Sequence, residues 1–486
     1  MCSAMSAMSK VLVVDAGGRG NAIAHAFARS EKVKEVFVAP GNGGSNFFPK
    51  CRQAELDGKR ISSIRAVEEI TAFAKKEEVD LVFIGPEEPL SLGLVDRLEE
   101  EGIPAVGPRK EATILEASKC WAKDFLARIG VPIPEYWNFD DADEAKAFVK
   151  DYYANNPGKN LVVKADGLAA GKGVFVCDSV DEALYAVDTI MIERRFGDAG
   201  NRIDIEERLY GVEVAFTAIT DGKTVLPFGH VKDYKRAFDP DDVDGLRDYY
   251  IGTMKKFISR AQAEKLFREG KLLNPNTGGM GAVSPHPFIT EELEEKIMKV
   301  VVEPTVRKFR ELEGKTFKGI FYPVIMLVEE NGEWIPKVLE INVRDCDPGA
   351  EAKLPRLESD MFDLSMAIIE GKLSDYEISF SSDYCVAVCA VSGALKGREG
   401  FKPGYPGEHY TSQPIKGIQE AMKEGIVYAN GIACGNGCVT TGGRVLTVVG
   451  RGASVDEARA KAYSALEKMD FPGMRYRKTI GLEVGE

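Results

Sequence analysis

The run Lys337-Val-Leu-Glu-Ile-Asn-Val-Arg344 reads as a strand, and successive side chains of a strand point to opposite faces. Glu340, Asn342 and Arg344 then share one face, with Leu339, Ile341 and Val343 on the other. A carboxylate and an amide oxygen in a row suit Mg2+, which takes oxygen ligands and completes its shell with waters and substrate phosphates. The guanidinium beside them suits a phosphoryl group in transfer. The plainer reading is the polar outer face of an edge strand, but such a face is usually mixed and rich in Lys and Thr.

A second segment, Lys164-Ala-Asp-Gly-Leu-Ala-Ala-Gly-Lys-Gly-Val174, ends an apolar strand on a lysine and continues into a glycine loop. Glycines let backbone N–H groups approach phosphate oxygens, and Lys164 and Lys172 add positive charge. No Gly-Lys-Ser/Thr opens a helix there, so this is not the Walker arrangement. Asn274-Pro-Asn-Thr-Gly-Gly-Met-Gly281 is a further glycine loop able to receive an anion, or simply a long turn. Ile205-Glu-Glu-Arg-Leu209, followed by Gly211-Val-Glu213, is a strand edge that can present backbone groups to a flat base; taken alone, an exposed acidic strand end explains it as well. None of this chemistry needs a protein nucleophile, because phosphoryl transfer is mostly positioning and charge neutralisation. Of the four histidines, His25 lies on the first helix and His230, His286 and His409 are isolated; all read as structural, and no Gly-x-Ser-x-Gly elbow occurs.

The elements that must position these groups follow a βαβ rhythm at the start of the chain. Strands at Val11–Val14, Val36–Val38 and Leu81–Ile84 alternate with helices at Ala22–Arg29 and Val67–Lys76, which implies a parallel sheet covered on both faces. That unit ends near Gly107-Pro108. Beyond it, strands are expected at Leu161–Lys164, Val174–Val176, Ile203–Glu206, Val212–Ala218, Phe321–Val328 and Lys337–Ile341, with a helix at Val180–Ile190. Residues 240–273 carry an acidic run and then a charged helical stretch, and read as a surface insertion. The last hundred residues hold strands at Cys385–Val391 and Arg444–Val449 and a closing helix, Val455–Met469.

At 486 residues the chain has length for roughly three domains. Its net charge of −13 argues against nucleic acid, which selects basic faces, but not against nucleotides held by a few local donors. Neither a signal peptide nor a membrane span is legible. The nine cysteines, Cys434 and Cys438 among them, read as reduced thiols of a cytosolic protein; that pair lacks the second pair a zinc site needs.

In this order and spacing the segments resemble the ATP-grasp superfamily, and more closely the phosphoribosylamine–glycine ligase family, over about Lys10 to Gly481. Ala39-Pro-Gly-Asn42, Gly85-Pro-Glu-Glu-Pro-Leu90, Lys119-Cys-Trp-Ala-Lys-Asp-Phe-Leu126, Lys164–Val174, Phe196–Gly200, Asn276–Ala282 and Thr441-Gly-Gly-Arg-Val-Leu446 carry the resemblance. It implies an α/β protein with an N-terminal parallel-sheet domain (9–110), a central ATP-grasp α+β region (111–382, with a mobile lid at about 121–205 and the insertion at about 240–273), and a small C-terminal α/β domain (383–486). It implies ATP with Mg2+ or Mn2+, and glycine and phosphoribosylamine as small-molecule substrates. The protein would be cytoplasmic, a monomer or weak homodimer, with no nucleic-acid or membrane partner. Lys119 and Lys164 would contact ATP phosphates, and the loop through Gly171 and Gly173 would close over them. Lys172 and Arg344 would serve the transfer itself. The backbone of Glu206, Glu207 and Leu209 would hold adenine, Glu213 the ribose, and Glu340 and Asn342 the metal. Gly17, Gly18, Arg19 and Glu87 would receive phosphoribosylamine, with Asp233, Lys235 and Gly279 near the same substrate.

The chain departs from the family pattern where that acceptor would sit. Gly-Gly-Arg is followed by Gly20-Asn21-Ala22 instead of Glu-His-Ala. Asp-His-Lys becomes Asp233-Tyr234-Lys235, and Arg-Phe-Gly-Asp-Pro-Glu becomes Arg344-Asp-Cys-Asp-Pro-Gly349. Two alternatives therefore stand beside the ligase: a carboxylate–amine ligase with another acceptor, and a nucleotide-binding regulator without catalysis. A dinucleotide-binding dehydrogenase is disfavoured, since Gly17-Gly18-Arg19-Gly20 does not supply Gly-x-Gly-x-x-Gly.

Overall fold

The apolar run Val11–Val14 is buried on both faces, as the middle of a covered parallel sheet must be. In a computed structural model that describes residues 8–168, 173–254, 265, 274–395 and 401–482, it lies in β1 (Ser9–Asp15). With β2 (Val33–Pro40), β3 (Cys51–Gln53), β4 (Leu81–Ile84) and β5 (Ala105–Val106) it forms a parallel sheet in the order β3-β2-β1-β4-β5. Helices α1 (Gly18–Ala28), α2 (Val67–Lys76) and α3 (Leu94–Glu100) connect its strands.

Helix α1 starts a turn earlier than its apolar spacing predicts. No side chain at Gly17 caps it. The Gly18 N–H instead donates to Asn430 Oδ1 at 3.0 Å, from a residue 412 positions away. A cap that distant leaves no local trace in the sequence.

After α4 (Lys119–Arg128), strands β6 (Tyr136–Phe139), β7 (Leu161–Ala165), β8 (Val174–Cys177) and β9 (Ile203–Glu207) form an antiparallel sheet in the order β8-β7-β9-β6. Helices α5 (Ala142–Asn155) and α6 (Val180–Val187) cover it, each with a side-chain cap, from Asp141 and Ser179. The helix expected to run on to Ile190 ends at Val187, and a wider turn continues to Ile192. This layer has its own core around Val149, Val163, Ala183, Ile203 and Ile205.

The large sheet is built from β10 (Val212–Thr220), β11 (Val225–Arg236), β12 (Asn276–Ser284), β13 (Gly319–Glu330), β14 (Glu333–Asn342), β15 (Tyr384–Ser392), β16 (Ile426–Ala429), β17 (Arg444–Gly452) and β18 (Met474–Arg475). Its order is β14-β13-β10-β11-β12-β15-β17-β16, with β18 beside β15, so β14 is an edge strand. Pairing of β12 with β15 carries the sheet continuously into the C-terminal region. Between β11 and β12 the helix α7 (Val243–Met254) represents the insertion; a Cβ on its Gly252 would lie 2.7 Å from Pro403 and 3.0 Å from Phe401. Most of 255–273 lies outside the described residues. Short helix α8 (Gly349–Lys353) and the closing helix α9 (Val455–Leu466) complete the parts needed below.

One expectation about the cysteines is corrected. Cys434 and Cys438 face each other across a hairpin and form a disulfide, with Cα atoms 4.1 Å apart. The other described cysteines are free and buried.

Candidate active site

Strand β14 ends at Asn342, so Arg344 belongs to the turn that follows and not to the strand face. The pairing shifts between Val324↔Glu340 and Ile325↔Val338, which leaves Leu339 as an extra residue, a bulge. It breaks the simple alternation: Ile341 and Val343 join one core, while Leu339 packs against another. Glu340 and Asn342 keep a common side. Arg344 still reaches them, because its Nη2 donates to Asn342 Oδ1 at 3.0 Å. Burial would push the Glu340 carboxyl up, but Lys235, Lys119, Lys164 and Arg344 together hold it below the usual carboxylate range. Four basic side chains thus bear on one ionised acid.

The bulge is gripped from the neighbouring layer. Lys164 Nζ donates to Leu339 O at 2.9 Å, and Lys123 Nζ donates to Val338 O at 2.9 Å. Both lysines also pair with Glu206, at 2.5 and 3.1 Å. Exposure of Lys123, Lys164 and Glu206 is 2%, 4% and 1%. Burial would raise Glu206, but the two lysines pull it below its ordinary value; Asp204, fully buried beside it, is pushed well above its own. Glu206 was expected to act through its backbone, yet its side chain closes this cluster. The N–H groups of Glu207 and Arg208 donate to Glu135 O and Asn160 O, and Leu209 follows where the strand has ended. Lys119 sits in the first turn of α4 and reaches Gly167 O at 3.3 Å. Asp166 ties that helix to the glycine loop by accepting from Ser118 Oγ and Cys120 N–H at 2.9 and 3.1 Å. Gly173 closes the base of the loop, its carbonyl accepting from Ala165 N–H at 2.8 Å. Gly171 and Lys172 lie outside the described residues.

On the other side of β14, Arg344 meets Glu87 at 3.4 Å and Glu116 at 3.7 Å. Burial would raise Glu87, but Arg344 and Arg19 hold it low. Glu116 is pushed up to about 7 by burial, only partly offset by Arg344, and accepts from Val343 N–H at 2.7 Å. Arg19 pairs with Asp15 at 2.8 Å and donates to Asp345 O at 3.1 Å. Lys235 pairs with Glu213. Gly279 has φ of 113°, and a Cβ there would lie 2.3 Å from Pro348 Cδ and 3.3 Å from Asp233 Oδ1. Gly17 lies beside Asp15, whose Oδ1 accepts its N–H at 2.8 Å. Glu87 and Arg19 thus act on one another across Arg344, while Arg344 and Lys235 both act on Glu340.

Three of the departures from the family pattern find partners nearby. Asp345 forms a buried ion pair with Lys353 at 2.8 Å. A Cβ on Gly349 would lie 2.3 Å from Cys346 Sγ, so the thiol occupies the space a side chain at 349 would need. His230 and His286 are not isolated: the His286 N–H donates to His230 Nδ1 at 2.9 Å. Burial lowers both rings, to about 3 and about 4, which keeps them neutral and structural. Sequence reasoning missed Lys123, Asp204, Glu116, Asn430 and Arg444. The first and last sit inside two stretches that carry the resemblance, and Glu116 lies three residues before Lys119.

No group of three or more His, Cys, Asp or Glu side chains able to hold a metal is present among the described residues. Glu340 and Asn342 supply two hard oxygens, and Asn342 Nδ2 donates to Tyr322 O at 3.4 Å, which turns Oδ1 outward from that carbonyl. The pair fits a divalent cation that takes its remaining ligands from water and phosphate.

Comparison with known proteins identifies the family. Residues 9–116, 117–350 and 401–483 match the N, ATP-grasp (A) and C domains of phosphoribosylglycinamide synthetase. The chain is 75% identical over 477 residues to a phosphoribosylamine–glycine ligase of Archaeoglobus fulgidus, covering 98% of this chain and 100% of that one. It is 36% identical to the enzyme of that name from Caldanaerobacter subterraneus, covering 97% and 99%. A crystal structure of phosphoribosylamine–glycine ligase from Thermotoga maritima superposes with a TM-score of 0.73 at 26% identity, covering 96% of this chain and 99% of that one. A biotin carboxylase domain from Hydrogenobacter thermophilus, solved with MgADP, shares the fold at 16% identity with a TM-score of 0.64, covering 97% and 92%.

Proposed function

We propose, since the chain belongs to the phosphoribosylglycinamide synthetase family, that the cleft between Lys164, Glu340 and Arg344 is where ATP is split and glycine is joined to phosphoribosylamine. The chain is an ATP-grasp carboxylate–amine ligase of purine biosynthesis that uses ATP and a divalent metal. The observation that carries the site is the ionised Glu340 ringed by Lys119, Lys164, Lys235 and Arg344.

The roles follow from charge and position. Glu340 and Asn342 hold Mg2+ or Mn2+, which neutralises phosphate charge when bound. Lys119 and Lys164 bind phosphates, with Lys172, Gly171 and Gly173 in the loop over them. Adenine lies along Glu206, Glu207 and Leu209, and the ribose near Glu213. Arg344, held by Glu87, Glu116 and Asn342, steadies the phosphoryl group as it leaves ADP for the glycine carboxylate. The amine of phosphoribosylamine then attacks the glycyl carbonyl, phosphate departs, and the nitrogen gives up a proton. Gly17, Gly18, Arg19, Asp233, Lys235 and Gly279 orient that acceptor. A closed loop keeps water from the acyl phosphate.

We place the domain divisions at 9–110, 111–382 and 383–486, and the protein in the cytoplasm as a monomer or weak homodimer. No described helix is long and apolar enough to cross a membrane. The decisive assay supplies Mg-ATP, glycine and phosphoribosylamine and reads glycinamide ribonucleotide by mass, with one ADP per product. ADP release that requires a different amine, or no ADP at all, overturns the assignment.

A further inference from the structure

We propose that Glu351 is a positioning residue for the amine acceptor, seated beneath the first turn of α1 so that Gly17–Arg19 and the Asp347–Arg444 pair present one fixed surface to the phosphoribosyl group. This rests on the reading of the cleft given above. Glu351 lies on α8, is 0% exposed, and neither of its carboxyl oxygens has a hydrogen-bond partner beyond its own backbone amide. Buried oxygens left in that condition are rare, because leaving a polar group unsatisfied is costly. Oε1 points at the start of α1. A Cβ built on Gly18 would stand 2.6 Å from it and 2.8 Å from Asn430 Oδ1. The carboxyl and the amide therefore occupy the place of a side chain at 18, and together they fix the turn.

Five segments far apart in the chain meet at this point. Asp347 lies 4.0 Å from where a Gly17 Cβ would be, and pairs with Arg444 at 2.8 Å. Arg444 also donates to Gly278 O at 3.1 Å, which ties in the second glycine loop. Asn430 is itself held by donating to Thr447 Oγ1 at 2.8 Å. The charged and titratable groups that bear on Glu351 are Asp347 on its N-terminal side, Arg19 on α1, Arg444 on β17, Cys389 on β15 and Tyr428 on β16. Burial and then Asp347 push its carboxyl well above the usual range, against the pull of Arg444 and Arg19. Burial thus disfavours the ionised form of Glu351, which would set a further negative charge behind the turn where the acceptor's phosphate meets Arg19 and Arg444. Ionisation as pH rises puts that charge there.

The test compares wild type, Glu351→Gln and Glu351→Ala, with phosphoribosylamine formed in situ from ribose 5-phosphate and ammonia, and product read by mass. Glutamine is a neutral isostere and should keep every KM within about threefold of wild type near pH 7, whereas alanine, which removes the brace, should raise KM for phosphoribosylamine about tenfold or more while KM for ATP and for glycine stay within about twofold. As pH rises, KM for phosphoribosylamine should climb more steeply in wild type than in the glutamine variant at each matched pH. Superimposable pH profiles overturn the proposal, and so does an alanine variant whose three KM values move together or not at all. If the alanine variant does not fold, the glutamine comparison still decides. Wild type that makes no glycinamide ribonucleotide would instead remove the functional reading itself, a distinct outcome.

Discussion

Replacing Glu206 by glutamine takes the counter-charge from a nearly dry cluster. In the native chain one carboxylate oxygen faces Lys164 at 2.5 Å and Lys123 at 3.1 Å. An amide oxygen can accept from one of them but carries no charge. Lys164 keeps the carbonyl of Leu339 and Lys123 that of Val338, and the two ammonium groups repel. Removing one partner of a buried ion pair costs about 3–5 kcal/mol. Asp204 moderates this, because burial and then Glu206 push its carboxyl well above its ordinary value, and the second push goes once Glu206 is gone. The single variant should therefore lose about 3 kcal/mol, the lower end of that range, and Asp204→Asn with Glu206→Gln should lose more than the two singles added. Denaturant unfolding followed by tryptophan fluorescence is the assay, with Trp137 on β6 reporting on this layer. The sign with pH is fixed as well. Glu206 is depressed, so its contribution is complete above the unfolded carboxylate value of about 4.3 and fades as pH falls through its lower folded value. The glutamine variant should lack that acid-side loss. A change below about 1 kcal/mol, or strict additivity in the double variant, would refute the reasoning.

Glu340→Ala should lower kcat by about 10²–10³-fold or more at saturating Mg2+ with circular dichroism unchanged; near-normal turnover would remove the metal assignment. Arg344→Ala should cut kcat by about 10³-fold and leave KM for ATP nearly constant, as steady-state kinetics will show. Gly18→Ala must displace Glu351 or Asn430 and should destabilise by about 1–3 kcal/mol in thermal unfolding, with a raised KM for phosphoribosylamine. Serine at both Cys434 and Cys438 opens only a short loop, so unfolding stability should fall by about 2 kcal/mol or less, with kcat preserved.

What could be read from the sequence was whatever local chemistry writes locally. The buried run Val11–Val14, the lysine at the end of β7 and the pairing of Glu340 with Asn342 all follow from short periodicities and residue types. The position of Arg344 did not, because the bulge at Leu339 and the end of β14 at Asn342 depend on the partner strand β13. Lys123 and Asp204 look like ordinary surface charges of a helix and a strand until α4 and β9 are brought against β14. Asn430 caps a helix more than four hundred residues away, a relation no window of sequence contains. The hidden residues are those whose partners come from another layer.

The crowding of Cys346 against Gly349 has a historical consequence. A lineage cannot acquire a long side chain at 349 while the thiol at 346 remains, since the two would claim the same volume. Nor can it discard the thiol first without opening a hole beside Val231. The two positions form an epistatic pair: each substitution is tolerated only in the background of the other, and chains bearing one half of the exchange should be scarce among relatives.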